Sequence, residues 1–384
     1  MDAYDLKLIN MLFFVGDSFS PETPGGNRFD GLCKGIVSQG YKVTRVFLRP
    51  DDNYTISKDT SSGIQYKYLW AGHRLKKGKW RHIQQIYWLT RFLKSLNTED
   101  RIVVTNSDYL YVYSWFPKLH VYHEKSEYPE LNLESEPWLV KQIFKKYIST
   151  CRKLDGIFPI SHALKDYFVS KGIEEEKLQV INMTVDPTRF VGLEKENVKD
   201  RYIAYCGAVS NFKDGVDVLI KAFAIVSNQI PDIKLYIIGG FPFKKDKEED
   251  YALVESLGLN ERVVFTGSIS REQMPQMLKN AEALVLARPD NIQAKYGFPT
   301  KLGEYLLTGN SVVVTRVGDI PQFLKDGESA YIAESGNVEE IAQKMIEAVS
   351  SSDAKLIGQN GADVAMLEFN SETESKKIIK FIYG

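Results

Sequence analysis

LARPDNIQAKYGFPTKLGEYLLTGNSVVVT, residues 286–315, reads as strand, loop, short helix, strand. Residues 283–287, ALVLA, form a continuous apolar run that suits a strand buried on both faces of a parallel sheet. Residues 288–298 hold Pro, Asp, Asn and Gly and read as a loop. Pro299 suits the first turn of a helix, where its missing N–H costs nothing. That helix is expected to run to about Leu307 and end at Gly309, with SVVVT as the next buried strand. A helix N-terminus at the carboxyl edge of a parallel sheet favours anions, phosphate above all. Thr300 and Glu304, four apart, share a face; Leu302 and Leu306 share another and face the sheet. Gly303 costs roughly 1 kcal/mol in mid-helix relative to Ala, and a small residue there would let a ligand approach. The spacing fits a nucleotide diphosphate with its ribose one turn further on.

GFPTKLGEYLLTGNSVVVT resembles the signature of the family 4 retaining glycosyltransferases of the GT-B fold. That family's pattern has two glutamates eight positions apart, with Phe-Gly soon after the first. Glu304 matches the second, which in the family binds the nucleotide ribose; the first falls on Tyr296 and is absent, as in the GFPTKL variant of the motif. The resemblance spans nearly the whole chain, strongly in its second half and loosely in its first. It implies two Rossmann-like doubly wound α/β domains with parallel sheets facing a cleft, and a C-terminal helix crossing back to the first domain. The expected divisions are residues 1–193, 194–365 and 366–384.

Composition is compatible with this. With 384 residues, 43% apolar and 26% charged, the chain suits two globular domains, and a net charge of −1 gives no pull toward nucleic acid. Cys33, Cys151 and Cys206 make no metal or disulfide spacing, which suits a reducing compartment. No signal peptide and no apolar run of transmembrane length is visible, so a cytoplasmic protein is expected.

In chain order, residues 10–15 read as the first strand, followed by a loop ending in Gly25-Gly26 and a helix capped by Asn27. In similar glycosyltransferases this loop faces the donor, which makes Gly26 a candidate contact. The basic residues Arg74, Lys76, Lys77, Lys79 and Arg81 are accompanied by Trp80, and the helix that follows carries Ile83, Ile86, Tyr87 and Trp88. The plain expectation is a solvated loop and a core-packed helix; the alternative is contact with an anionic inner-membrane surface. Residues 118–124 form a strand ending in His123-Glu124, with Glu127 just beyond. Polar groups at a strand's carboxyl end sit at the ligand edge of a doubly wound sheet, so His123, Glu124 and Glu127 compete for a role at the acceptor hydroxyl. Residues 177–183 read as a further strand. Ser161 reads as a helix N-cap. Residues 194–201 read as the linker.

The second half opens with a strand at 202–206, the loop GAVSNFKDG and a helix at 216–228. The family places Gly-Arg in this loop and Lys-Gly before the helix. Lys213-Asp214-Gly215 resembles the latter with one residue inserted, and Ala208 stands at the Arg position. Arg288 and Lys301 are candidates to supply the missing charge. Residues 241–251, FPFKKDKEEDY, read as a mobile charged loop.

The resemblance therefore implies transfer of a sugar, with retention, from a UDP- or GDP-sugar to a hydroxyl of a glycan or lipid-linked acceptor in cell-surface polysaccharide synthesis. The donor contacts would be Gly26, Lys213, Arg288, Phe298, Thr300, Lys301 and Glu304. No Asp-x-Asp occurs, so no metal and no cofactor beyond the donor is expected. The rivals are a sugar-nucleotide epimerase of the same fold and a degenerate paralogue that binds without turnover.

Overall fold

The structure is a computed structural model that describes residues 11–16, 24–48, 62–69, 79–131, 133 and 138–384. It divides into two compact units. The first joins the described residues up to Asn182 with Ser371–Gly384; the second is Met183–Asn370.

The first unit carries strands β1 (Met11–Gly16), β2 (Lys42–Phe47), β3 (Gln65–Tyr68), β4 (Arg101–Val104), β5 (His120–Lys125) and β6 (Gly156–Pro159). Their order across the sheet is β3-β2-β1-β4-β5-β6, every pairing parallel. The second unit carries β7 (Arg201–Cys206), β8 (Ile233–Ile238), β9 (Val263–Gly267), β10 (Ala283–Leu286), β11 (Ser311–Thr315) and β12 (Tyr331–Ala333). They lie in the order β12-β11-β10-β7-β8-β9, again all parallel. Counted from its own first strand, each sheet therefore has the same order, and each reverses its winding between its first and fourth strands. Ligands of such sheets bind at the carboxyl ends of those two strands.

The cores follow from the apolar pattern. All residues of β10 and β11 are buried, as continuous apolar runs between two helix layers require. The helix Val216–Gln229 buries Val216, Leu219, Ile220, Phe223 and Val226 at helical period. In the first unit the last helix, Ser371–Tyr383, buries Ile378, Ile379 and Ile382 in one cluster with Leu32, Cys33 and Ile36 of the helix Pro24–Ser38.

Several local expectations change. Of the loop expected at 241–251, residues from 244 on belong to a helix, Lys244–Ser256, with Lys244–Glu248 and Lys245–Glu249 pairs at i,i+4 along its solvated side. Residues 177–183 form no ladder strand; they run beside β6 with a single bridge at Leu178. The first unit ends at Asn182, where residue 193 was expected, because Met183 and Val185 pack on the helix Lys301–Leu307 at Gly303 and Val185 bridges Asn370. Likewise residues 366–370 stay with the second unit, where the Phe369 ring packs on Phe298 and Phe323. The helix Pro24–Ser38 begins before the two glycines, so Gly26 and Asn27 lie in its first turn rather than ahead of it. The loop at 17–23 and the basic residues 71–78 lie outside the described residues.

Candidate functional site

In the second unit the switch point lies between the carboxyl ends of β7 and β10. After β7 the chain turns through Gly207 to Ser210, whose hydroxyl caps a single helical turn, Asn211–Asp214. Gly215 (φ 65°) closes that turn and starts the helix Val216–Gln229; a side chain there would run into the Ala287 carbonyl. Two loops are thereby pressed together, and their charged residues converge.

Arg288 follows β10. Its backbone carbonyl accepts from the Thr315 (2.7 Å) and Ser335 (3.0 Å) hydroxyls, which fix its position. Its side chain is buried, with 3% exposure, and Nε donates only weakly to Lys213 O at 3.4 Å. Nη1 is buried with no hydrogen-bond partner. Burial pushes the Arg288 pKa down, opposed by Asp214 and Tyr205. A guanidinium stays charged in a protein, so a buried donor edge without an acceptor is costly until an anion meets it.

Lys301 has a different fate. Nζ donates to Asp214 Oδ2 at 2.6 Å and to the Tyr205 hydroxyl at 3.0 Å, and lies 4.7 Å from the Tyr205 ring centre. Burial lowers its pKa; Asp214 opposes this, and Arg288 and Lys213 add to the lowering. Its charge is thus matched internally, and it serves to hold Asp214 beneath the loop. Lys213 is exposed beside Arg288. Thr300 precedes the helix Lys301–Leu307 with helical backbone angles and makes no capping bond. Phe298 is buried in the aromatic cluster with Phe323 and Phe369, a packing position.

Glu304 is ion-paired with Arg189, a partner the sequence reading missed. Asp186 accepts from the Thr188 amide (3.0 Å) and so caps the 3₁₀ turn Pro187–Arg189, and Arg189 Nη2 also donates to Arg271 O at 3.1 Å. Burial raises the Glu304 pKa and Arg189 opposes it. The pair engages Oε1. Gly303 does not serve ligand approach as expected. A methyl there would meet Met183 and Val185, so the glycine accommodates the chain itself. The Asp-Pro pair before Arg189 is the one local signal that could have drawn attention to it.

In the first unit, successive residues of β5 point to opposite sheet faces, which separates His123 from Glu124; Glu127 lies beyond the strand. His123 is fully buried; Nδ1–H donates to Val104 O at 2.9 Å. Nε2 is then the acceptor, 3.2 Å from the Tyr147 hydroxyl and 3.5 Å from Ser107 Oγ. Burial, with Lys125 next, lowers the His123 pKa to about 3, so the ring is neutral at ordinary pH. Lys125 Nζ donates to the same Ser107 hydroxyl at 3.3 Å. Glu124, on the other face, is buried in an ion pair with Arg28. Arg28 Nη2 also donates to Ile181 O and Asn182 O, so Glu124 anchors the end of the unit rather than a hydroxyl. Glu127 is exposed, and Gly26 is buried in the first helical turn.

Residues 200–351 match the family model described as "Glycosyl transferases group 1". Among proteins of known role, the chain is 26% identical over 196 residues to the GDP-mannose-dependent alpha-(1-6)-phosphatidylinositol monomannoside mannosyltransferase of Mycolicibacterium smegmatis, covering 50% of each. It is 25% identical over 167 residues to N-acetyl-alpha-D-glucosaminyl L-malate synthase of Bacillus anthracis, covering 43% of this chain and 41% of that protein. The chain thus spans about half the length of the curated relatives it matches. Over 96% of its length it superposes on 98% of Anabaena Alr3699/HepE, crystallised with UDP, at a TM-score of 0.74 and 16% identity. The fold is the two-domain GT-B architecture.

Proposed function

We propose that the chain is a glycosyltransferase that takes a nucleotide-diphosphate sugar as donor and passes the sugar, with retention and without a metal, to a hydroxyl of a glycan or lipid-linked acceptor. The observation that carries this reading is Arg288: a buried guanidinium with an unpartnered Nη1, at the switch point of the unit that matches the group 1 model. An anion is the ligand that relieves it, and a diphosphate is the anion whose charge grows during glycosyl transfer. HepE has been crystallised with UDP, which supports a nucleotide here.

In this reading Arg288 and exposed Lys213 meet the diphosphate as the bond from anomeric carbon to phosphate oxygen breaks. Lys301 works indirectly by fixing Asp214 and the loop. Glu304, oriented by Arg189 through Oε1, offers Oε2 to the ribose hydroxyls. The acceptor oxygen bonds to the anomeric carbon on the face the phosphate leaves, and its proton passes to the departing diphosphate. Neutral His123 orients a hydroxyl; its lowered pKa makes it a poor base. The work of such a relative would lie in building surface polysaccharide or glycolipid.

The test is thermal-shift binding of UDP, GDP, ADP and their sugar forms to the parent, Glu304→Ala and Arg288→Met. One nucleotide is expected to shift the parent and to lose most of its effect in both variants. Absence of any shift would overturn the reading. Release of nucleotide diphosphate only when an acceptor is added would set the transferase apart from an epimerase.

A further inference from the structure

The helix Lys79–Leu93 of the first unit buries Gln85, Leu89, Phe92 and Leu93. Gln85 Nε2 donates to Leu48 O at 3.2 Å and Gln85 Oε1 accepts from the Tyr109 hydroxyl at 2.6 Å. His82 Nδ1 lies 2.8 Å from that same hydroxyl. Leu48 follows β2 and Tyr109 follows β4, so the N-terminal half of the helix stands at the carboxyl edge of the sheet. The opposite face of such a helix is ordinarily polar. Here it carries Trp80, Ile83 and Tyr87, exposed by 63%, 56% and 55%. At i, i+3 and i+7 they form one stripe, and the same stripe continues through exposed Arg91 to Lys94. Residues 60–98 contain eight Lys and Arg and no Asp or Glu, in a chain whose net charge is −1.

We propose that this stripe docks the first unit on a bilayer surface that contains anionic lipid. Trp and Tyr rings have an apolar body and a polar tip and settle at headgroup depth, while Ile83 between them enters the acyl boundary. Arg81, Arg91 and Lys94 flank the row and meet lipid phosphates. Cations alone would suit any polyanion; the Trp-Ile-Tyr row gains only from an apolar phase. The row stands at the carboxyl edge of the sheet that also carries Ser107 and His123, so a membrane-held acceptor would reach that edge without leaving its leaflet. The proposal does not depend on the nucleotide reading.

The full chain is to be sedimented with sucrose-loaded vesicles of phosphatidylcholine alone and of phosphatidylcholine mixed with phosphatidylglycerol, with soluble dextran sulfate as a second ligand. Binding to the mixed vesicles is expected to be at least roughly tenfold stronger than to the neutral ones and to fall with salt. The triple variant Trp80→Ser, Ile83→Ser, Tyr87→Ser should lose about tenfold in vesicle binding, keep its dextran sulfate binding and keep its circular dichroism. Trp80→Phe should still bind, but with most of the blue shift of tryptophan emission gone. Equal binding to both vesicle types, or a triple variant that binds mixed vesicles as the parent does, would overturn the proposal. Nucleotide thermal shifts on the same samples should be unchanged by the triple substitution, which separates this test from the one on donor binding.

Discussion

Arg45 and Arg288 are both buried arginines near the carboxyl ends of parallel strands in sheets of identical order. Arg45 lines a cleft with Phe14, Gly16, Phe29, Phe47 and Thr105 at the switch point of the first unit. Its charge is answered by Asp30, and its guanidinium lies 5.0 Å from the Phe47 ring centre. Arg288, at the other switch point, has only a long contact to a backbone carbonyl and an open Nη1. Topology supplies a crevice in both units. What separates them is the partner: Arg45 has the Asp30 carboxylate, while Arg288 Nη1 is buried without a hydrogen-bond partner.

The sharpest way to break this comparison is to remove each arginine in turn. Arg288→Met should cost about 10²–10³-fold in transfer rate, the scale of losing one donor to a developing oxyanion, while stability holds or improves because a costly buried charge is gone. Arg45→Met should do the reverse. It strands Asp30 and lowers stability by about 1–3 kcal/mol, with little change in nucleotide affinity. Steady-state kinetics and thermal denaturation of both variants check this. An Arg288→Met protein with parental kcat and KM would mean that the open guanidinium serves no ligand.

The next effect tests the proposed ribose contact of Glu304. Glu304→Ala and Arg189→Ala should each weaken nucleotide binding about tenfold, and the double variant should be little worse than either single one, because Arg189 acts through Glu304. Additive losses in a calorimetric cycle would show that Arg189 contacts the ligand on its own account.

These pairings mark the limit of what could be read from the sequence. The strands and helix around residues 283–315 were legible because a run buried on both faces and a helical period are local patterns. Partners are not local: Arg189 reaches Glu304 across 115 positions, and Lys301 reaches Asp214 across 87. Lys301 and Arg288 therefore looked alike as candidates, and only the fold separates the neutralised cation from the open one. Glu124 was misread for the same reason, its partner Arg28 lying 96 positions away. The helix Lys244–Ser256 was missed because only Asp250 and Val254 are buried, leaving no apolar stripe to detect.

His123 gives an effect of similar size and a pH signature. Its folded pKa lies below the ordinary value, so the unfolded chain binds the extra proton between about 6.5 and about 3 and stability is lost as pH falls through that window. At neutral pH the ring is uncharged. His123→Gln should thus lower kcat/KM about tenfold by a factor that is the same from pH 6 to pH 8. An acid limb near the ordinary histidine pKa that disappears in the variant would make His123 a titrating catalyst and overturn the positioning role.

The last effect is on stability alone and contrasts two buried carboxylates, one in each unit. Glu374 accepts from the Asn182 amide at 2.7 Å and pairs with Lys377 at 2.6 Å. Asp250 has one side-chain donor, Asn211 Nδ2 at 2.9 Å, and Oδ2 has no partner. Burial raises the Asp250 pKa to about 6, with Asp217, Asp246 and Glu249 adding to it. The native state therefore holds a proton that the unfolded chain has lost between about pH 4 and 6, so this group favours the fold at low pH and its support disappears as pH rises. Asp250→Asn keeps an acceptor for Asn211 and removes that loss. It should stabilise by about 1–3 kcal/mol at pH 7, with the gain shrinking toward zero near pH 4. Burial raises the Glu374 pKa as well, opposed by Lys377 and the Asn182 amide, so Glu374→Gln should change stability at pH 7 less than Asp250→Asn does. Thermal denaturation of both variants from pH 4 to 8 measures the two differences. A Glu374→Gln gain as large as that of Asp250→Asn, or an Asp250→Asn gain independent of pH, would show that partner count does not set the cost of these buried acids.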